Sequence, residues 1–236
     1  MTTKGVLYLI PTTLGDVEPD AVLPQEHRER VLSISTYIVE KERTARRFLK
    51  KLQPALTIDA LTLYPLNKHT RPEEAERYLH ACESGEDMGL LSEAGCPAVA
   101  DPGARIVSMA HEKGIRVVPL VGPSSLLLAL MASGLNGQSF AFRGYLPIDV
   151  NDRQKAIRHC EEQARNHDQT QLFIETPYRN GKLFEALLKH CQPATRVCVA
   201  TDLTLPTETI RTKTVKAWRQ QPLPDLHKRP TVFLLR

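Results

Sequence analysis

Four short loops, each following an apolar stretch, combine glycine, proline and hydroxyl residues in a way that suits ligand binding. They cover residues 11–16, 92–103, 121–125 and 175–179. Small residues let a ligand come close to the backbone, so that N–H and C=O groups can recognise it. Neither a G-x-x-x-x-G-K-[ST] phosphate motif nor a G-x-G-x-x-G dinucleotide motif is present. Loops of this composition also form ordinary turns, and composition alone leaves both interpretations open.

A run of basic side chains lies between residues 41 and 51. Its members are Lys41, Arg43, Arg46, Arg47, Lys50 and Lys51. On a helix, Arg43, Arg46, Arg47 and Lys50 would share one face, because residues three, four and seven apart lie on the same side. Such a face either contacts nucleic-acid phosphates or forms a solvated helix surface.

The elements that must position these residues alternate between short apolar strands and helices, which predicts an α/β fold. Strands are predicted over 5–10, 37–39, 57–63, 88–91, 115–120, 140–146, 171–175, 196–203, 208–213 and 231–235. Helices are predicted over 23–33, 42–52, 72–83, 104–113, 124–133, 152–166, 180–191 and 215–220. The pattern changes after residue 136, and we place the boundary between two domains near residue 122, which gives 1–122 and 123–236. Ligands of open α/β sheets bind beyond the carboxyl ends of the strands, where the four loops lie.

Composition narrows the class of protein. The 236 residues include 31 basic and 27 acidic side chains, a net charge of +4 that permits a nucleic-acid partner without requiring one. With 42% hydrophobic residues, a disordered chain is excluded. The apolar run Leu126–Ala132 is far shorter than the roughly 20 residues of a membrane span, and no signal peptide is evident. We therefore expect a cytoplasmic protein without membrane association. The spacing of the five cysteines and eight histidines predicts no metal site.

The segment Leu91–Pro97, followed by Asp101-Pro102-Gly103, resembles the S-D-A-G-T-P…D-P-G loop of a known family. This family is the ribosomal RNA small-subunit methyltransferase I group of the tetrapyrrole methylase superfamily. Further segments resemble motifs of the group in the same order along the chain. They are residues 5–12, 121–125, 132–135, 144–147 and 175–179.

This resemblance implies two α/β domains of the tetrapyrrole methylase type with a cofactor cleft between them, bound S-adenosyl-L-methionine (SAM) and a homodimer. The cofactor contacts that it implies are Pro11, Glu93, Ala94, Gly95, Cys96, Val99, Ser124, Ser125, Thr176, Leu203, Pro230 and Thr231. Backbone carbonyls and small side chains suit the sulfonium cation of SAM better than lysine or arginine would. Methyl transfer is an in-line displacement, so positioning and desolvation supply much of the rate and no metal is required.

Two motifs that face the acceptor in this family are altered here. The family sequence A-E-D-T-R appears as V-E-K-E-R-T over residues 39–44, and H-D-H-N appears as N-K-H-T over residues 67–70. A ribose hydroxyl needs a base or a hydrogen-bonding partner to act as a nucleophile near neutral pH. Candidate carboxylates are Glu40, Glu42, Glu93, Asp101 and Glu175, and the predicted catalytic set is Glu40, Glu42, Arg43 and His69. Each carboxylate has the alternative role of helix cap, loop brace or surface charge, and Arg43 or Lys68 could instead meet a phosphate.

The favoured hypothesis is a SAM-dependent methyltransferase that acts on a ribose 2'-hydroxyl of ribosomal RNA. Ribosomal RNA or the small ribosomal subunit is then the partner. One alternative is methylation of a tetrapyrrole or another small molecule. Precursor-corrin enzymes have G-D-P where this chain has Gly95-Cys96-Pro97, which counts against that alternative. The other alternative is a non-catalytic relative that binds SAM or RNA, and the altered acceptor motifs motivate it.

Overall fold

The computed structural model describes residues 3–67 and 70–236, which divide into two compact units. Unit 1 is Met1–Ser124 and unit 2 is Ser125–Arg236. The described part of unit 1 forms a five-stranded parallel sheet in the order β3-β2-β4-β1-β5. Its strands are β1 (Val6–Ile10), β2 (Thr36–Val39), β3 (Thr62–Pro65), β4 (Met88–Leu91) and β5 (Arg116–Pro119). Its helices are α1 (Glu26–Leu32), α2 (Glu42–Leu52), α3 (Pro72–Arg77), α4 (His80–Glu83) and α5 (Gly103–Glu112).

Apolar clusters cover both faces of the central strands of the unit 1 sheet, and successive side chains of a strand point to opposite faces. Leu7 of β1 joins the apolar cluster that includes residues of α3, α4 and α5. Its neighbours Tyr8 and Ile10 join a second cluster with α1 and α2. The α2 helix contributes Ala45, Phe48, Leu49 and Leu52 to that cluster, at the spacing of one helix face.

Two elements of unit 1 differ from the sequence prediction. The strand predicted over 57–63 begins only at Thr62, after a 3-10 turn at Ile58–Ala60, and it continues through Pro65. Proline is tolerated there because β3 is the edge strand of the sheet. The helix predicted over 72–83 is divided into α3 and α4. Between them, the Tyr78 hydroxyl donates a hydrogen bond to the Pro65 carbonyl, which fixes the chain at the break.

Unit 2 contains a five-stranded sheet of mixed direction in the order β6-β7-β10-β8-β9. Its strands are β6 (Phe140–Tyr145), β7 (Thr170–Ile174), β8 (Arg196–Thr201), β9 (Thr209–Thr214) and β10 (Thr231–Leu235). Its helices are α6 (Ser125–Ser133), α7 (Val150–His167), α8 (Asn180–His190) and α9 (Val215–Trp218). The helices α7, α8 and α9 bury one sheet face around Phe173, Phe184 and Trp218, and α6 packs against β8, β9 and β10. The α/β fold class is confirmed, as the comparisons below show.

In residues 3–67 and 70–236, no helix has the length and apolar character that crossing a membrane requires. Across those same residues, the histidine, cysteine and acidic side chains form no group of three or more that could hold a metal ion.

Candidate functional site

In unit 1, the loops that follow three neighbouring strands meet at the carboxyl edge of the sheet. Thr12, after β1, forms an isolated antiparallel bridge with Gly95, after β4. The Thr12 N–H donates to the Gly95 carbonyl at 3.0 Å, and the Gly95 N–H donates to the Thr12 carbonyl at 3.2 Å. The Ser92 hydroxyl donates to the same Gly95 carbonyl at 2.9 Å. The resulting turn holds the backbone of the Ser92–Gly103 loop in place without large side chains.

The loop after β5 packs against both of these loops. A Cβ atom at Gly122 would lie 2.2 Å from Cγ of Pro11, so only glycine allows this approach. Gly95 has φ of +76°, and a Cβ there would lie 3.2 Å from the Pro123 carbonyl oxygen. The Cys96 thiol is 3.5 Å from the same oxygen. The structure therefore brings together Pro11, Gly95 and Cys96, three residues predicted to contact the cofactor.

Asp101 braces the far end of the Ser92–Gly103 loop. Its Oδ1 atom accepts hydrogen bonds from the N–H groups of Ala98 at 2.8 Å and Gly103 at 2.7 Å. Burial raises the pKa of this carboxyl group, although the two backbone hydrogen bonds oppose the shift. Since Oδ1 already serves as an acceptor for two backbone groups, the geometry favours a loop brace over a general base.

Glu40 and Glu93 meet where β2 and β4 end side by side. The Glu93 N–H donates to Oε1 of Glu40 at 3.2 Å. The Glu93 carboxylate itself turns towards α2, where it accepts from Lys41 Nζ at 3.0 Å and from the Thr44 hydroxyl at 3.3 Å. Burial raises the pKa of Glu40, and the negative charges of Asp101 and Glu93 add to the shift. Glu40 is thus a half-buried carboxylate with a raised pKa. It forms no ion pair within the described part of the chain.

In unit 2, the predicted cofactor residues also gather at one edge of a sheet. The strand β10 runs antiparallel to β7 and β8, so its first residue lies beside the last residues of both. Thr231 pairs with Thr201, and their hydroxyl oxygens are 3.3 Å apart. The Pro230 carbonyl accepts from the N–H of Asp202, next to Leu203. Thr176 lies two residues beyond β7, so the sheet places it at the same edge.

Two ion pairs hold this edge of unit 2. The Glu175 side chain is only 2% exposed and lies 2.6 Å from Arg179 Nη2, and its Oε1 also accepts from the Thr176 N–H. Asp202 is paired with Nε of Arg229 at 2.8 Å. Glu175, a candidate base in the sequence, is therefore neutralised by an arginine and fixes the loop that carries Thr176.

The residues of both units fit SAM chemically. The unit 1 loops present backbone groups and small side chains, and the neighbouring Lys41 is held by Glu93. In unit 2, three buried polar side-chain atoms lack a hydrogen-bond partner within the described structure, and two of them, Thr204 Oγ1 and Asn180 Oδ1, lie beside predicted cofactor residues. Thr204 follows Leu203, and Asn180 Nδ2 donates to the carbonyl of Arg229, next to Pro230. Buried polar atoms are normally satisfied, so these two suit the polar groups of a ligand.

The remaining predicted catalytic residues are less engaged. Glu42 and Arg43 are exposed at the start of α2, and Glu42 is 3.5 Å from Arg46. His69 and its neighbour Lys68 lie outside the described residues. Sequence reasoning missed the supporting roles of Thr12, Ser92 and Thr44. The signal for all three was their place in segments compared with family motifs, residues 5–12, 91–97 and 39–44.

The chain matches a known protein family along most of its length. The sequence profile of the family described as Tetrapyrrole (Corrin/Porphyrin) Methylases matches residues 26–218. The chain is 31% identical over 238 residues to a Ribosomal RNA small subunit methyltransferase I of Xylella fastidiosa, covering 100% of this chain and 82% of that protein. It is also 31% identical over 208 residues to the protein of the same name from Escherichia coli, covering 88% and 68% of the two chains.

Solved structures share the fold at low sequence identity. A crystal structure of diphthine synthase has a TM-score of 0.69 and 15% identity, covering 98% of this chain and 89% of that one. Uroporphyrin-III C-methyl transferase from Thermus thermophilus, complexed with S-adenosyl homocysteine, has a TM-score of 0.56 and 16% identity, covering 98% and 97%. These likenesses identify the architecture of both units.

Proposed function

Since the chain belongs to the tetrapyrrole (corrin/porphyrin) methylase family and is a SAM-dependent methyltransferase, we propose that it methylates a ribose 2'-hydroxyl of ribosomal RNA. The main support for this proposal is the match, along the whole chain, to a protein named Ribosomal RNA small subunit methyltransferase I. The same substrate supports a cytoplasmic location.

For the cofactor, we propose contacts from the loop residues of unit 1 and from the sheet edge of unit 2. When bound, SAM supplies an electrophilic methyl group on a sulfonium cation. The unit 1 residues are Pro11, Glu93, Ala94, Gly95, Cys96, Val99 and Ser124, and the unit 2 residues are Ser125, Thr176, Leu203, Pro230 and Thr231. The bridge between Thr12 and Gly95 supports the first group, because it fixes the backbone on which recognition depends.

For the acceptor, we propose that Glu40 accepts the hydroxyl proton. A general base works best when its pKa is near the working pH, and burial moves Glu40 in that direction. Its Oε1 atom is oriented by the Glu93 N–H, in the loop that carries the proposed cofactor contacts. Glu42 and His69 stay predicted acceptor-side residues.

The first test is isothermal titration with SAM. We expect binding, and we expect Ser124→Trp to weaken it by about tenfold or more, since a bulky ring in a loop of small residues displaces a ligand. Ser108→Trp is the matched control, because Ser108 is exposed on α5 of the same unit. Equal affinities for the two variants would contradict the proposed cofactor contacts.

The second part of this test follows the methyl group to its acceptor. Wild-type protein with methyl-labelled SAM should label small ribosomal subunits that lack the modification. The labelled nucleotide should resist alkaline cleavage on its 3' side, because a methylated 2'-oxygen cannot attack the adjacent phosphate. Binding of SAM without transfer to RNA would refute the RNA acceptor and leave the cofactor assignment intact.

We also propose a homodimer. Leu127 and Met131 lie one turn apart on α6 and are 50% and 79% exposed. Exposed apolar side chains grouped in this way are typical of protein interfaces. Sedimentation of the wild-type protein should give about twice the chain mass of 26.5 kDa. The Met131→Asp variant should instead sediment closer to the mass of one chain. A wild-type protein that sediments as a monomer at micromolar concentration would contradict the dimer.

A further inference from the structure

A groove of about 200 Å³ lies in unit 1 between the loop after β1 and the helix α2. Its lining is rich in hydroxyl and basic side chains. They include Thr12, Thr13, Thr44, Ser92, Arg47 and Lys51. The apolar side chains Leu14 and Phe48 complete part of the wall. The acidic side chains Asp16 and Glu93 also line the groove, so its wall combines hydrogen-bonding groups, charges of both signs and apolar surface.

The basic residues of α2 and its start are not equivalent in the folded chain. Most are already engaged. Lys41 pairs with Glu93 at 3.0 Å. Arg46 pairs with Glu42 at 3.5 Å and with Asp59 at 3.8 Å. Lys51 pairs with Asp16 at 3.1 Å and with Glu18 at 3.2 Å. Lys50 donates to the Leu56 carbonyl at 3.1 Å. The basic face predicted from the sequence is therefore largely occupied by the protein's own acceptors.

Arg43 and Arg47 are the exceptions. Both are exposed, and neither has an acidic partner within residues 3–67 and 70–236. They lie four residues apart, so they are neighbours on one side of α2. Arg47 lines the groove, and Arg43 lies one turn before it on α2. An arginine guanidinium without a protein partner is well suited to bind a phosphate through two parallel hydrogen bonds.

We propose that this groove binds a nucleotide that flanks the methylated residue of the RNA, with one phosphate on Arg47 and the next on Arg43. The inference rests on the proposed function and deepens it by assigning the RNA-binding surface. The hydroxyl group of Thr13 lines the same wall and can contact the sugar-phosphate backbone.

The position of the groove connects RNA binding to the reaction. Ser92 and Glu93 line it and also begin the loop that carries the proposed SAM contacts. The Glu93 N–H donates to Glu40, the proposed base. Glu93 therefore connects a nucleotide bound in the groove to Glu40, the carboxylate proposed to take the proton.

The experiment compares Arg47→Ala, the double variant Arg43→Ala/Arg47→Ala, and Arg46→Ala as the matched control on the same helix. RNA affinity is measured by filter binding over a series of salt concentrations, using unmodified small-subunit ribosomal RNA. Each lost phosphate contact on single-stranded RNA should reduce the slope of log affinity against log salt by about 0.7. We expect a loss of about 0.7 for Arg47→Ala and about 1.4 for the double variant, with no loss for Arg46→Ala.

Two further readouts separate this inference from the proposed function. Arg47→Ala should raise KM for RNA, while its SAM affinity, measured by titration, stays at the wild-type value. If wild-type protein methylates RNA but both arginine variants keep the salt slope and KM of Arg46→Ala, the groove is not the RNA site and the function stands. If wild-type protein binds SAM and methylates no RNA, the proposed function fails and the inference falls with it.

Discussion

Substituting Glu40 by glutamine should lower kcat for methyl transfer by about 10²- to 10⁴-fold, the usual contribution of a general base. Glutamine keeps an oxygen that can accept from the Glu93 N–H, so the 3.2 Å hydrogen bond that orients the side chain can persist. It cannot take a proton from the ribose hydroxyl. We therefore expect kcat to fall while SAM affinity, measured by titration, is retained.

The pH dependence gives this prediction a second readout. Burial raises the pKa of Glu40, and the carboxylates of Asp101 and Glu93 add to the shift. The acid limb of the wild-type rate profile should therefore lie at higher pH than an ordinary glutamate would give, and Glu40→Gln should remove it. The matched control is Glu112→Gln, an exposed carboxylate on α5. A Glu40→Gln enzyme with wild-type kcat and an unchanged profile would eliminate Glu40 as the base.

The raised pKa also has a defined sign in stability. Because the folded-state pKa of Glu40 lies above its unfolded value, the stability that this group contributes is complete below the unfolded pKa. That contribution is lost as pH rises through the folded pKa. At neutral pH, Glu40→Gln should therefore be more stable than wild type in urea unfolding, and the difference should disappear in acid. Loss of activity together with a gain in stability is typical of a functional residue.

The second large effect is expected in unit 2. Arg179→Met should reduce the free energy of unfolding by about 3 kcal/mol, because it leaves the buried Glu175 carboxylate without its partner. Glu175 is 2% exposed and Arg179 34%, so the charge that remains is the buried one. Urea unfolding at neutral pH measures this loss.

An exposed ion pair of the same unit provides the control for this change. Lys155 and Asp152 on α7 are 3.2 Å apart, with side chains 79% and 60% exposed. Lys155→Met should cost less than about 1 kcal/mol, as is usual for a solvated pair. Similar losses for Arg179→Met and Lys155→Met would show that Glu175 does not depend on the arginine. The double change Glu175→Gln/Arg179→Met should recover part of the stability.

The sequence predicted those parts of the structure that depend on local pattern. The strand at Met88–Leu91 and the helix at Glu42–Leu52 are confirmed, because apolar spacing and the flanking residues determine them. The strand that continues through Pro65 was placed too early, since its tolerance of proline depends on the edge position in the sheet. That position is a long-range property, which a local pattern does not contain.

The same distinction applies to the site. Motif positions identified the loops that meet at Gly95 and Gly122. The sequence did not distinguish Glu40 from Glu175, whereas the structure does. Glu40 accepts a hydrogen bond from a backbone N–H, and Glu175 is paired with an arginine. Nor did the sequence separate Arg46, which pairs with Glu42 and Asp59, from Arg47, which has no acidic partner among the described residues. The direct contacts with SAM and the role of His69 stay predictions.

The strand order of unit 2 has a consequence for synthesis on the ribosome. The middle strand β10 is the one translated last of the five, and β7 and β8 are each joined to it rather than to one another. Until residues 231–235 leave the exit tunnel, the nascent chain can form only the pairs β6-β7 and β8-β9, each with an open edge of unpaired N–H and C=O groups. Unit 1, by contrast, has all five of its strands by residue 119. A translational pause after β9 would prolong the exposure of those edges to chaperones and to aggregation.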